Sequence, residues 1–132
     1  MDSMIWGTAT AAYQTEGAVS LDGRGKCIWD VFGKNHGAIA NDDEATIADD
    51  SYHKVKEDVK LMRDMGLTAY RFSISWSRIL PSGSGKVNQA GLDHYNALIN
   101  ELISVDIIPF VTLYHWDLPQ GLQEEYDGLL NG

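Results

Sequence analysis

The sequence predicts an α/β protein in which short parallel strands alternate with amphipathic helices. Three observations carry that reading. Two stretches place apolar residues at helical spacing with the charges mostly off that face. Each is followed by a short run rich in β-branched and aromatic residues. The whole pattern recurs after forty residues.

The first element is an upstream run, "MIWGTATAAYQ" (4–14), which reads as a strand. Helical spacing follows in "DDSYHKVKEDVKLMRDMGL", where Tyr52, Val55, Val59 and Met62 fall on one face. Asp49 or Asp50 is the candidate cap, and Gly66 followed by Leu67 is a stop signal. "LTAYRFSISW" (67–76) is the second strand. A second helix reads from "NQAGLDHYNALINELISV", with Leu92, Tyr95, Ile99 and Leu102 on its face and Asn88 as candidate cap. "IIPFVTLYHW" (107–116) is the third strand, in register with the second so that Trp116 falls on Trp76. Runs apolar on both alternating faces are how strands read when both sides of a sheet are covered. The order is β-α-β-α-β, in a single domain over 1–132 with no internal boundary.

A doubly wound open sheet and an eight-fold β/α barrel both use this unit, and the pattern leaves the two open. No G-x-G-x-x-G or G-x-x-x-x-G-K-[ST] follows the first strand, which argues against a phosphate cradle. The chain is 44% hydrophobic and 22% charged, ordinary for a globular protein. Its net charge of −9 makes nucleic acid or an anionic membrane surface a poor partner. The start has no basic, apolar leader pattern and no run approaches the ~18 apolar residues of a membrane span, so a cytoplasmic protein is expected. Cys27 is the only cysteine, which excludes an internal disulfide and fits a reducing compartment. Metal-ligand spacings such as H-E-x-x-H are missing, so no metal is expected.

In both architectures ligands sit at the carboxyl ends of the strands. Those ends carry Tyr13, Gln14, Thr15 and Glu16; then Arg71, Ser73, Ser75 and Trp76; then Tyr114, His115, Trp116 and Asp117. An amide, an imidazole, a guanidinium, carboxylates and indoles on one rim suit a polyhydroxylated ligand. Each also has an ordinary reading. A lone glutamine there more often satisfies backbone, a lone histidine is more often a core residue, and tryptophans are usually packing. Glu16 reads first as an ion-pair partner and His94 as a surface residue. Arg71 is different: an isolated charge in an apolar strand demands a carboxylate or an open polar cavity.

"IWGTATAAYQTEGA", "GRGKCIWDVF", "DSYHKVKEDVKLMRDMGLTAYRFSISWSRILP" and "VTLYHWDLPQGLQEEYDGLLN" resemble, in that order, the sequence of glycoside hydrolase family 1, the β-glucosidase family. The spelling looks closest to fungal intracellular β-glucosidases. The resemblance implies the first three β/α units of a (β/α)8 TIM barrel, incomplete in this chain. It implies that Gln14, His115 and Trp116 line the subsite for the non-reducing sugar, and that Arg71 orients the nucleophilic glutamate. The implied reaction is retaining hydrolysis of β-glycosides by two glutamates, on a small β-glucoside or oligosaccharide, with no cofactor.

The family's N-E-P and T-E-N-G motifs, which carry those glutamates, do not occur in these 132 residues, so no glutamate here takes either role. Smaller departures are Met4 where phenylalanine is usual, Cys27 where a small residue is usual, and "YDGLLNG" where an aromatic is commoner. The first expectation is an amino-terminal piece of a β-glucosidase, inactive and poorly folded on its own. The alternative is a non-catalytic sugar-binding or regulatory remnant of the same barrel. Three barrel strands would leave an open edge and an uncovered inner face.

Overall fold

The computed structural model describes residues 4–130. In chain order these form β1 (Gly7–Ala9), α1 (Ala12–Thr15), α2 (Ile28–Phe32), a 3-10 turn (Ala40–Asp42), α3 (Val55–Asp64), β2 (Ala69–Ser73), α4 (Trp76–Ile79), α5 (Gln89–Ser104), β3 (Ile108–Thr112), α6 (Gln120–Tyr126) and a 3-10 turn (Gly128–Leu130). The strands make one parallel sheet in the order β1-β2-β3. Ala9 lies opposite Arg71, and Arg71 opposite Phe110. This is the expected β-α-β-α-β order.

Alternation along β2 divides its residues between two faces. Tyr70 and Phe72 point to the helices and are buried with Val59, Tyr95, Leu102 and Ile107, while Met62, Leu98 and Ile99 pack against them. Of the residues expected on the two helical faces, Val59, Met62, Tyr95, Ile99 and Leu102 belong to this core, while Tyr52, Val55 and Leu92 do not. The other face of the sheet carries Ala69, Arg71 and Ser73, with Ile108 and Phe110 from β3 each about half exposed at 49% and 47%. The β3 part of that inner face is apolar and exposed, as expected for three adjacent barrel strands, whereas Ala69 and Ser73 on β2 are buried.

The strands are shorter than the apolar runs. The ladder ends where Thr10 N–H donates to Arg71 O (2.9 Å) and Ile74 N–H to Thr112 O (2.9 Å). Beyond those points the backbone turns: Ala12 N–H donates to the buried Ser73 Oγ at 2.7 Å, and α1 winds from there. Trp76 likewise starts α4. Its sequence counterpart Trp116 lies in a loop with φ 67°, so the forty-residue repeat fails at the strand tips.

Helix α3 begins later than its pattern. Tyr52 sits in the preceding turn, and neither Asp49 nor Asp50 caps the helix; Lys54 occupies the cap position without a side-chain bond. Asp50 instead binds His53 Nδ1 at 2.6 Å. The predicted stop is correct in detail. Gly66 (φ 76°) donates to Arg63 O and Leu67 to Met62 O, the paired bonds of a Schellman end. In α5, Asn88 occupies the cap position, but its Nδ2 donates to Asp22 O (2.8 Å) and Arg78 O (2.9 Å), tying loops together rather than capping. Gly91 is required where α5 crosses α4, because a Cβ there would stand 2.3 Å from Arg78 O.

Beside the core lies a buried polar knot. Arg78 is 0% exposed; its Nε donates to Glu16 Oε2 at 3.1 Å and its Nη2 to Gly17 O at 3.3 Å. Tyr95 OH donates to Glu16 Oε1 and accepts Ser75 N–H (2.8 Å). The Arg78 guanidinium stacks 4.2 Å over the Tyr52 ring. Glu16 is therefore the ion-pair partner expected of it. His94 is not a surface residue: it is half-buried, stacked 4.2 Å from Tyr52 and edge-on to Tyr95.

Two outcomes follow from this packing. Arg78→Met leaves the Glu16 carboxylate buried without its cation, and urea denaturation should register a loss of about 3–5 kcal/mol; pairing it with Glu16→Gln should recover much of that. Burial, then the nearby Arg78 charge, pushes His94 from 6.5 down to about 4. Between those values the unfolded chain takes the proton and the folded chain does not, so this residue's contribution is lost as pH falls through the window. Relative to His94→Gln, the protein should lose on the order of 3 kcal/mol between pH 6.5 and 4. Parallel stability curves for the two proteins would contradict this.

Candidate functional site at the strand carboxyl ends

Parallel pairing brings the three expected loops to one end of the sheet, and the polar residues there divide into two groups. Ser73, Ser75, Glu16 and Asp117 turn inward and are buried. They serve the fold: Ser73 Oγ holds Ala12 N–H, Ser75 N–H is held by Tyr95, and Glu16 belongs to the Arg78 knot. Trp76 donates its indole N–H to Gly83 O (2.9 Å) and meets Tyr114 edge-on, so it packs rather than presents a surface.

The second group faces outward. Gln14 is exposed on α1, with its backbone fixed by Ala11 O at 3.0 Å. Its loop is anchored on both sides, by Ser73 at Ala12 and by Arg78 at Glu16. Trp116 is 70% exposed, and His115 beside it is half-buried with ring centroids 6.1 Å apart. His115 Nδ1 is buried and lacks a partner among the described residues. Arg71 is half-buried on the inner face, and its Nε donates to Thr112 Oγ1 at 2.7 Å. Among the described residues no carboxylate pairs with it; the acidic partners of arginine here belong to Arg24, Arg63 and Arg78.

The expected site residues share this end of the sheet without touching one another through hydrogen bonds among the described residues. Gln14 lines a cavity of about 610 Å³ with Tyr13, Arg24, Trp29, Lys34 and Glu44, whereas His115, Trp116 and Arg71 lie outside its lining. Burial, reinforced by Asp30, pushes the Tyr13 phenol up to about 12, so it stays a neutral hydroxyl in that wall.

Two residues missed by sequence reasoning connect the parts. Trp29 donates its indole N–H to Trp116 O at 2.7 Å across 87 positions, a link with no spacing signal. Arg24 is nearly fully buried and pairs with Asp30 at 2.7 Å. Cys27 starts α2: its sulfur accepts Asp30 N–H while Asp30 accepts Cys27 N–H, and burial pushes its thiol up. A sulfur therefore does the work of a capping hydroxyl where a smaller residue is usual.

Comparison with known proteins agrees with the parallel β/α architecture. The chain is 58% identical over 130 residues to β-glucosidase 34 of Oryza sativa subsp. japonica, covering 98% of the chain and 26% of that protein. It is 56% identical over 124 residues to the aryl-phospho-β-D-glucosidase BglC of Bacillus subtilis, covering 94% of the chain and 26% of the relative. A solved rice β-glucosidase in a covalent complex with Glc superposes with a TM-score of 0.94 at 57% identity, over 97% of this chain and 27% of that one. The family 1 β-glucosidase from Thermotoga maritima superposes at 0.92 with 50% identity, over 95% and 28%. The chain thus spans about a quarter of the length of the curated relatives it matches. Its sheet and helices are part of the TIM barrel of those enzymes, which decides between the two architectures left open by the sequence. The model for Glycosyl hydrolase family 1 matches residues 1–132, and the chain belongs to that family of β-glucosidase-type glycosyl hydrolases.

Proposed function

We propose that this chain supplies the sugar-holding part of a retaining β-glucosidase, acting on terminal non-reducing β-D-glucosyl residues of small glucosides or oligosaccharides. Gln14 and His115 hydrogen-bond the sugar hydroxyls, and Trp116 offers its indole face to the sugar C–H groups. Arg71 orients and charge-balances a nucleophilic glutamate supplied from outside these 132 residues. Hydrolysis then needs two carboxyls about 5–5.5 Å apart across the glycosidic bond. The N-E-P and T-E-N-G motifs that would carry them are not among these residues.

The observation that carries the reading is Arg71. A half-buried guanidinium whose only hydrogen-bond partner among the described residues is a threonine hydroxyl is under-compensated. It sits on the inner face in the middle of β2, two residues before the strand end where loops present Gln14, His115 and Trp116. A carboxylate brought against that face satisfies the charge and meets a sugar held at the rim.

The test uses the chain at low micromolar concentration with its fold verified by circular dichroism. Glucose or cellobiose should change the intrinsic tryptophan fluorescence saturably. Gln14→Ala and His115→Ala should each weaken that binding about five- to tenfold. The chain alone should release no aglycone from an aryl β-glucoside above the uncatalysed rate. A flat titration in a folded sample would contradict the sugar site, and turnover by the pure chain would contradict the missing carboxylates.

A further inference from the structure

We infer that Asp117 and Trp29 are positioning residues that fix the orientation of the His115–Trp116 tip. The inference rests on the reading of that tip as a sugar contact. It begins with backbone strain. Trp116 has φ 67°, in the left-handed region that a bulky residue rarely enters. Such a conformation persists only when its surroundings determine it. The Trp116 side chain does not supply the compensation, since it is 70% exposed.

The determinants lie on both sides of the residue. Asp117 is 1% exposed, and its carboxylate accepts the backbone N–H of His115 at 3.4 Å. Its other oxygen, Oδ2, has no partner among the described residues. A buried acid that accepts a backbone donor from two residues earlier holds that turn in one shape. The Trp116 carbonyl is meanwhile taken by the Trp29 indole N–H at 2.7 Å. Immediately beyond, the chain is fastened to the segment leading into α2. Ile28 N–H donates to Leu118 O (2.9 Å), Gln120 N–H donates to Lys26 O (2.8 Å), and Cys27 bridges Pro119.

The strained peptide is thus held on one side by the carboxylate and on the other by the indole. If either support is removed, Trp116 is free to relax to negative φ, which redirects both its ring and the neighbouring imidazole. The arrangement fits a surface that must be presented in one direction, and precise presentation is what a hydroxyl-binding site requires.

The experiment compares the wild-type chain with Asp117→Ala, Asp117→Asn and Trp29→Phe, using two readouts. The backbone amide NMR signals of His115 and Trp116 report the tip without any sugar, against those of Ala69–Ser73 in β2 as an internal reference. Glucose titrations followed by the same signals report binding. In Asp117→Ala and Trp29→Phe the tip signals should move while the β2 signals stay, and glucose should bind about tenfold more weakly. Asp117→Asn keeps the accepting oxygen and should stay within about threefold of wild type. Where Asp117→Ala does not fold, Trp29→Phe, which keeps an aromatic ring but loses the pyrrole half of the indole with its N–H, carries the comparison. Unmoved tip signals, or moved signals with unchanged affinity, overturn the positioning role. A wild-type chain that binds no glucose overturns the sugar reading, and this role with it.

Discussion

The buried contact between Arg78 and Glu16 is the constraint on which the rest of the arrangement depends. It joins the loop after β1 to α4, and Tyr95 extends it to α5 through the second Glu16 oxygen. Gln14 lies two residues from Glu16, so the same ion pair fixes where that amide is presented. A buried pair of this kind contributes little net stability compared with an apolar substitute, because two charges must leave water. Its value here is geometric. It lets the chain make a long excursion between β1 and α3 and still return to one register at the sheet, with Tyr52 stacked on Arg78 as the excursion closes.

The same economy appears at the third strand. Everything after Thr112 depends on contacts with residues far earlier in the chain: Trp29, Cys27 and Lys26 all hold the segment from Trp116 to Gln120. The end of the sheet is therefore built from pairs of loops bracing each other, while the core beneath it is built from local helical and strand faces. The first kind of order supplies direction to exposed polar groups. The second supplies a platform rigid enough to make that direction meaningful.

This division explains what could be read from the amino acids. Val59, Met62, Tyr95, Ile99 and Leu102 were legible as one core because helical periodicity is local, and Gly66 was legible as a stop because its chemistry is local too. The strand-end location of Gln14, His115 and Trp116 followed from the parallel β/α pattern, whereas Arg71 lies in the middle of β2, and the roles expected of all four came from resemblance to a family. What escaped was set by distance in sequence. His94 was taken for a surface residue because its partner Tyr52 is 42 positions away in a turn that looks helical. Asn88 and Asp50 sit where caps belong, but other groups claim their side chains. Trp76 and Trp116 align by repeat, yet Trp76 starts a helix and Trp116 sits in a left-handed turn.

The central claim is that the carboxyl end of this sheet holds a glucosyl unit between the loops after β1 and β3. A crystal structure of the chain with glucose addresses it most directly. The account predicts sugar hydroxyls within hydrogen-bonding distance of Gln14 and His115, with the ring face against Trp116 and the anomeric carbon toward the Arg71 side. Sugar bound only in the cavity around Trp29 and Glu44, or at the amino-terminal end of the strands, would contradict it.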